Sequence, residues 1–314
     1  MTRLTAEGLP LQDGPILVTG AAGFVGRHLT ASLGMGPGDF ACDATEDFEA
    51  PPGVARLAWK LPGPPPAALG PVRTIVHLAA ISSVAGSMRD AAGVYEVNVA
   101  GTVSVLDYAC GACGFPRMLL ASSSDIYGPA GSSISEERGP APVSPYGGSK
   151  AAAETAAMQF ARHPGLDLVI ARPFPHFGPW QAPSFAIPSF CIRVAGAARR
   201  GETTVTAGNL SAVRDYTDVS DVVAAYGILL SRGVPGGIYN ICSGEGRSMQ
   251  SILDFLIGRS GARLSVKVDE SLLRPSDIAV QVGDPSKVEA LGWRRRTSVE
   301  DGLSALLDWW KERI

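Results

Sequence analysis

The chain is poor in the features that mark proteins built for nucleic acid, membrane or disulfide chemistry. Its 27 basic and 30 acidic residues leave a net charge of −3. No basic stripe is available to neutralise phosphates, which argues against nucleic acid as a partner. Arg294-Arg295-Arg296 is the one cationic run, and it reads as a solvated loop. No apolar stretch is long enough to cross a bilayer, and the first residues lack the basic-then-apolar form of a secretory signal. A cytoplasmic location and no membrane partner are therefore expected. Cysteine is scarce: Cys42, Cys110, Cys113, Cys191 and Cys242 are odd in number and scattered, which is no disulfide framework. Cys110 and Cys113 form a C-x-x-C, but they close an apolar helical pattern, with no second pair and no suitably spaced histidines. Structural cysteines and no metal are expected.

What the chain does have is apolar residue in quantity, 46% of 314, enough for one large α/β domain or one with a smaller partner. Short runs that are apolar throughout recur along the first half: Ile16-Leu17-Val18, Phe40 to Cys42, Thr74 to Leu78, Met118 to Ala121 and Leu168 to Ala171. Helical stretches separate them, at about 24–33, 91–112 and 146–162. Residues 50–71, rich in Pro and Gly, read as loop with a short strand near 56–59, and a long loop is expected after Ala121. Apolar strands alternating with helices predict a doubly wound parallel sheet covered on both faces. Such a sheet binds ligands beyond the C-terminal ends of its strands. After Pro173 the rhythm breaks. Residues 1–173 are assigned to a dinucleotide-binding Rossmann domain, to which a later strand could return. Residues 174–314 form mainly a smaller, interleaved substrate lobe.

Two patterns carry chemistry. Gly20-Ala21-Ala22-Gly23-Phe24-Val25-Gly26 follows a strand and opens a helix, as a diphosphate-binding turn requires. Gly20 permits the tight turn, Gly23 lets the backbone approach a diphosphate, and Gly26 lets helix and sheet close up. The helix start then offers free N–H groups to the anion. Asp43, where the second strand should end, is placed to accept hydrogen bonds from an adenosine ribose. A carboxylate there would repel a 2′-phosphate, so NAD is favoured and NADP remains an alternative. Tyr146 and Lys150 lie four residues apart and share a face if helical. The cation is expected to pull the phenol below its ordinary value of about 10, towards the range of an acid or base catalyst.

Taken in order, Gly20-x-x-Gly23-x-x-Gly26, His77-Leu78-Ala79-Ala80, Asn98-Val99-x-Gly101-Thr102, Ser122-Ser123-Ser124-x-x-Tyr127-Gly128, Tyr146-x-x-x-Lys150 and Arg172-Pro173-Phe174 form one set. With them the chain resembles the extended short-chain dehydrogenases/reductases of the nucleotide-sugar branch, over nearly its whole length. The resemblance implies a catalytic set of Ser123, Tyr146 and Lys150, with Leu78, Ala79, Ala80, Asn98 and Pro173 added to the cofactor site. It also implies a homodimer paired through the helices at 91–112 and 146–162.

The second half narrows the substrate. Arg172 to Gln181, Pro188 to Phe190, Gly208 to Leu210, Arg214 to Val219, Asn240 to Gly244 and Leu273 to Asp277 resemble GDP-4-keto-6-deoxy-D-mannose reductases most closely. By that resemblance Arg214 and Arg274 contact a diphosphate, a task suited to a planar, permanently charged guanidinium. Ser82, Ser83, Ser124, Asp125 and His176 are further candidates for substrate contact. The expected activity is NAD(P)H-dependent reduction of the C4 ketone of a nucleotide-linked 4-keto-6-deoxyhexose. A 4-epimerase would use the same three residues, and Ser123-Ser124-Asp125 could serve a 4,6-dehydratase. A non-catalytic dinucleotide sensor is the reading from another class, but such proteins commonly lose the Tyr or the Lys. The chain departs from the reductase pattern at Pro175 (usually Asn), Trp180 (usually Gly), Lys60 (often acidic) and Asp125-Ile126 (usually two glutamates).

Overall fold

The structure, a computed structural model, describes residues 5, 8–162, 166–269 and 278–314. Along the first half run β1 (Ile16–Thr19), α1 (Phe24–Ser32), β2 (Phe40–Asp43), β3 (Ala55–Ala58) and β4 (Thr74–His77). Short helices α2 (Val84–Ser87) and α3 (Ala91–Tyr95) lead through a π-helical turn at Glu96–Ala100 into α4 (Gly101–Gly111). Then come β5 (Arg117–Ala121), a 3-10 turn at Ser124–Tyr127, β6 (Gly131–Ile134), α5 (Pro145–Ala161) and β7 (Asp167–Pro173). The second half contributes β8 (His176–Phe177), α6 (Ala186–Arg200), β9 (Thr204–Ala207), β10 (Val213–Asp215), β11 (Thr217–Asp218) and α7 (Val219–Arg232). It closes with β12 (Ile238–Ile241), β13 (Gly246–Ser248), α8 (Met249–Ser260), β14 (Ser265–Val268), β15 (Val280–Gly283), α9 (Ser286–Ala290) and α10 (Val299–Lys311).

Among the described residues, seven strands form one sheet in the order β12-β7-β5-β4-β1-β2-β3, every pair parallel. Strands β1, β4 and β5 are buried at every position, which is why they read as unbroken apolar runs. Ile16, Leu17, Val18, Ile75, Val76, Met118 and Leu119 are fully enclosed. Each such side chain contributes roughly 1.5–3 kcal/mol of burial, upper values since unfolded chains are not fully extended. One face of the sheet packs on α1 and α7, the other on α4 and α5. The strand order reverses at β1, so a crevice opens beyond the C-terminal ends of β1 and β4.

The two halves of the chain exchange strands. β12 joins the large sheet and α7 packs on its face, although they follow Pro173 by dozens of residues. In return β6 from the first half joins β15, β10 and β13 in a second sheet. The segment after Ala121 is therefore no plain loop, as it holds both the 3-10 turn and β6. The smaller lobe has its own core, where α6, α8 and α10 meet through Phe190, Val194, Ile252, Leu256, Leu303 and Leu306.

The helix expected at 91–112 is interrupted, and the cause is Asn98. Its side chain accepts from the Ile81 amide (2.7 Å) and donates to the Ile81 carbonyl (3.1 Å) and Ser149 Oγ (2.9 Å). The widened turn lets one buried amide brace the loop after β4 against α5. Thr102 Oγ1 donates back to the Asn98 carbonyl at 2.6 Å, satisfying an acceptor within the turn. Helix α5 starts where its sequence says it should: Ser144 accepts from the Gly147 amide as N-cap, and Pro145 takes the first helical position.

Candidate active site

A cleft of about 1380 Å³ runs across the strand ends and under the smaller lobe. Its wall includes the last residues of four parallel strands, Thr19, Asp43, Ala121 and Pro173. The glycine turn lines it. Gly20 has φ +73°, and a Cβ there would fall 2.7 Å from the Ala79 amide nitrogen. A Cβ on Gly26 would collide with the Gly20 carbonyl oxygen. Gly23 caps α1 without a side chain, so the amides of Phe24, Val25 and Gly26 head a nine-residue helix that has no acidic residue in its first turn. All these residues line the cleft, as do Leu78, Ala79 and Ala80. A cradle that admits no Cβ, at a helix N-terminus, fits a diphosphate. Asp43 faces the cleft too, and its carboxylate accepts from the Ala22 (3.0 Å) and Ala44 (2.8 Å) amides, tying the turn to β2. Asn98 does not line the cleft. Its amide is committed to Ile81 and Ser149, so it supports the site from below.

Ser123, Tyr146 and Lys150 come together at the mouth between β5 and α5, each almost fully buried. Ser123 Oγ accepts from the Asp125 amide at 3.1 Å. The Tyr146 amide donates to Ser87 Oγ (3.1 Å), and Ser87 Oγ donates to the Val84 carbonyl (2.7 Å), which fixes the start of α5 to the 82–87 segment. Lys150 Nζ donates to the Ala121 carbonyl at 2.6 Å. The expected lowering of the phenol is reversed. Burial and the nearby Asp125 carboxylate hold Tyr146 well above its ordinary value, with Ser123 opposing them. Burial also brings the Lys150 ammonium down to about 8, against the pull of Glu154. Desolvation disfavours whichever form is charged, and here it outweighs the i,i+4 attraction.

The candidate substrate residues Ser82, Ser83, Ser124, Asp125, His176 and Arg214 line the same cleft, with Ser124 and Asp125 directly beside Ser123. Ser83 is spent in part as the cap of α2. His176 Nδ1 donates to the Phe174 carbonyl (2.9 Å), and its ring stacks on Phe24 at 5.7 Å. Arg214 Nη1 donates to the Val213 carbonyl at 2.9 Å. Asp215 accepts from Ser243 and the Gly244 and Gly283 amides, and Asp218 caps α7. Arg274 lies outside the described residues. Trp180 is half-exposed at φ +66°, with its ring against His28 (5.1 Å) and Trp309 (6.1 Å). Pro175 and Lys60 also line the cleft. The sequence reading missed Arg89, Arg193, Gln181 and Tyr226. Of these Arg193 had a signal, a lone cation three residues after Phe190 on the inner face of α6. All five cysteines are free thiols, and Cys113 accepts from the Val72 amide.

Sheet, glycine turn and clustered polar residues define a dinucleotide-dependent oxidoreductase. Residues 71–306 match the family model of GDP-mannose 4,6 dehydratase. The chain is 31% identical over 308 residues to GDP-6-deoxy-D-mannose reductase from Pseudomonas aeruginosa, covering 95% of this chain and 98% of that protein. Its fold superposes on the structure of RMD from Pseudomonas aeruginosa complexed with NADPH, with a TM-score of 0.80 and 30% identity, over 96% of this chain and 100% of that one. It also superposes on UDP-glucose 4-epimerase from Thermus thermophilus in complex with NAD, with a TM-score of 0.83 and 28% identity, over 96% and 100%. The chain belongs to the NAD(P)-dependent epimerase/dehydratase family of short-chain dehydrogenases/reductases.

Proposed function

We propose that the chain reduces the C4 ketone of a nucleotide-linked 4-keto-6-deoxyhexose, with GDP-4-keto-6-deoxymannose as substrate. The observation that carries this reading is the Tyr146 phenol, buried beside Ser123 and Lys150 and held in its protonated form. A reductase needs a proton donor at neutral pH, and a phenol, protonated at its ordinary value and kept so by burial, is one. The likeness to GDP-6-deoxy-D-mannose reductase supports the sugar and the base.

Residues 1–173 are assigned mainly to the cofactor and 174–314 mainly to the sugar nucleotide. The glycine turn and the head of α1 would hold the cofactor diphosphate, and Asp43 the adenosine ribose. The Asp43 carboxylate favours NADH over NADPH. A reduced nicotinamide held there would supply the hydride for C4 of the sugar. Ser123 orients the ketone oxygen by donating a hydrogen bond. Tyr146 gives its proton to that oxygen as the C–O π bond opens, leaving a hydroxyl on the sugar and a phenolate on Tyr146. Lys150, while charged, stabilises that phenolate and the ribose hydroxyls. Arg214 and Arg193, which both line the cleft, would take the diphosphate of the sugar nucleotide. Free thiols throughout support a cytoplasmic location, and the α4–α5 face supports a homodimer.

One observation favours a second reading, 4,6-dehydration: Asp125 lies close enough to Tyr146 to perturb it. The deciding test mixes the protein with NADH or NADPH and a panel of GDP-, dTDP- and UDP-linked 4-keto-6-deoxy sugars. Cofactor oxidation with the GDP-linked ketone, lost by about 10²–10⁴-fold in Tyr146→Phe, is the expected result. Water released from an unmodified GDP-hexose marks a dehydratase, and C4 inversion without net cofactor use marks an epimerase. Near-normal turnover in Tyr146→Phe would sink the mechanism.

A further inference from the structure

A second buried phenol reaches the cleft. Tyr226 on α7 is 1% exposed, yet it contributes to the cleft wall. Its ring packs in the apolar cluster that also holds Ala21, Ala121 and Ala171. Those three alanines mark the glycine turn after β1 and the upper ends of β5 and β7. Helix α7 begins directly after β11, which pairs with His176 and Phe177 beside the cleft. Long side chains on a helix lean towards its N-terminus, so the Tyr226 hydroxyl is carried up towards the strand ends.

The other buried phenols find protein partners. Tyr127 donates to Asn240 Oδ1 (2.7 Å), Tyr108 to the Gly70 carbonyl (2.5 Å), and Tyr239 accepts from the Val234 amide (3.0 Å). Among the described residues the Tyr226 hydroxyl has none. Ser122 Oγ, 4% exposed and also in the cleft wall at the end of β5, is unpartnered as well. Ser122 Oγ is enclosed, whereas the Tyr226 hydroxyl is not fully enclosed, so what it bonds is what occupies the cleft, water or a ligand. Burial holds Tyr226 above its ordinary value, and a charge on Tyr146 is felt there, so the group stays an O–H donor near the reacting end of the site.

We propose that Tyr226 is a positioning residue that donates its O–H to an acceptor oxygen on the nicotinamide riboside half of the bound dinucleotide. The inference rests on the dinucleotide-binding reading above. It makes the α1–α7 face of the sheet part of the site, opposite the α5 face that carries Tyr146.

The test compares Tyr226→Phe with the full wild-type chain by NADH and NADPH fluorescence titration, by competition with ADP, and by thermal unfolding with and without dinucleotide. Loss of one hydrogen bond predicts roughly tenfold weaker dinucleotide binding in the variant. ADP lacks the nicotinamide riboside, so its affinity should stay within about twofold. The unliganded midpoint should be unchanged or higher, since no protein hydrogen bond is lost, while the ligand-induced rise in midpoint shrinks. Unchanged dinucleotide affinity overturns the proposal, as does equal weakening for ADP or a drop in the unliganded midpoint. A wild-type chain that binds neither NADH nor NADPH overturns the dinucleotide reading itself.

Discussion

Tyr146 and Lys150 lie one turn apart on α5, and burial moves them in opposite directions, the phenol up and the ammonium down to about 8. Both shifts have one origin, the cost of a charge away from water. At neutral pH the phenol is protonated and the lysine still mostly charged, the pair of states a proton-donating reductase requires. As pH rises through about 8 the ammonium is lost, and with it the stabilisation of the phenolate formed in the step. The rate kcat/KM for ketone reduction should therefore fall on an alkaline limb centred near pH 8, up to tenfold per unit beyond it. Stopped-flow or steady-state rates between pH 6 and 10 check this, and a profile flat to pH 9.5 contradicts it. The Tyr-x-x-x-Lys spacing was legible in the sequence. The direction of the tyrosine shift was not, because it depends on the depth of α5 and on Asp125, which the 3-10 turn brings alongside.

At the scale of elements, the buried strands were legible because enclosure on both faces leaves a continuous apolar run. What escaped were features fixed by contacts distant in sequence. Asn98 opens a π-helical turn because Ile81 and Ser149 wait for its amide. β6 forms because residues 280–283 lie beside it. The junction of β1, β4 and α4 is a further case, centred on His77. Thr102 gives its single proton to the Asn98 carbonyl, so it accepts from His77 Nε2–H at 3.1 Å, and Thr19 Oγ1 then donates to His77 Nδ1 at 2.7 Å. The imidazole is thus held neutral. Burial and the Lys150 charge bring it down to about 3 from its ordinary 6.5. The unfolded chain takes up a proton below pH 6.5 and the folded chain does not, so stability is present above 6.5 and lost as pH falls towards 3. Urea unfolding should show wild type losing roughly 2 kcal/mol more between pH 6.5 and 5 than His77→Asn. His28 and His176 shift in the same direction in both proteins, so the difference isolates His77. Equal losses would mean that His77 is protonated in the fold.

At the scale of the whole molecule, the cleft is built by interleaving. Thr19, Asp43 and Ala121 come from the first half of the chain, and Arg214, Met249 and Gln281 from the second. β12 and β6 cross between the sheets, which fixes one wall against the other. Of the residues the family motifs named for the cofactor, Gly20, Gly23, Leu78, Ala79, Ala80 and Pro173 line the cleft, and Asn98 does not. The substrate side draws on short elements with no periodic signature, which is why Arg193 and Gln181 passed unnoticed. The same motifs imply a homodimer through α4 and α5, and the outer face of these helices suits one. Tyr95 is 42% exposed, and Val99, Ala100, Val103, Ala152 and Ala156 are exposed or half-buried on these helices, with exposed Glu96 and Asp107 spaced one turn from Val99, Ala100 and Val103. Small side chains let helix axes approach to about 8 Å, and pairing two copies of this face would bury apolar area that one copy leaves wet. Sedimentation equilibrium should give twice the chain mass of 32.6 kDa at micromolar concentration. Ala156→Arg, placed on the outer turn of α5, should shift the mass to that of one chain through unpaired like charges across the two-fold. A dimer that survives this substitution would put the interface elsewhere. Tyr146 is on the inner side of the same helix, so dinucleotide binding by the Ala156→Arg monomer would show whether pairing also holds the active site in shape.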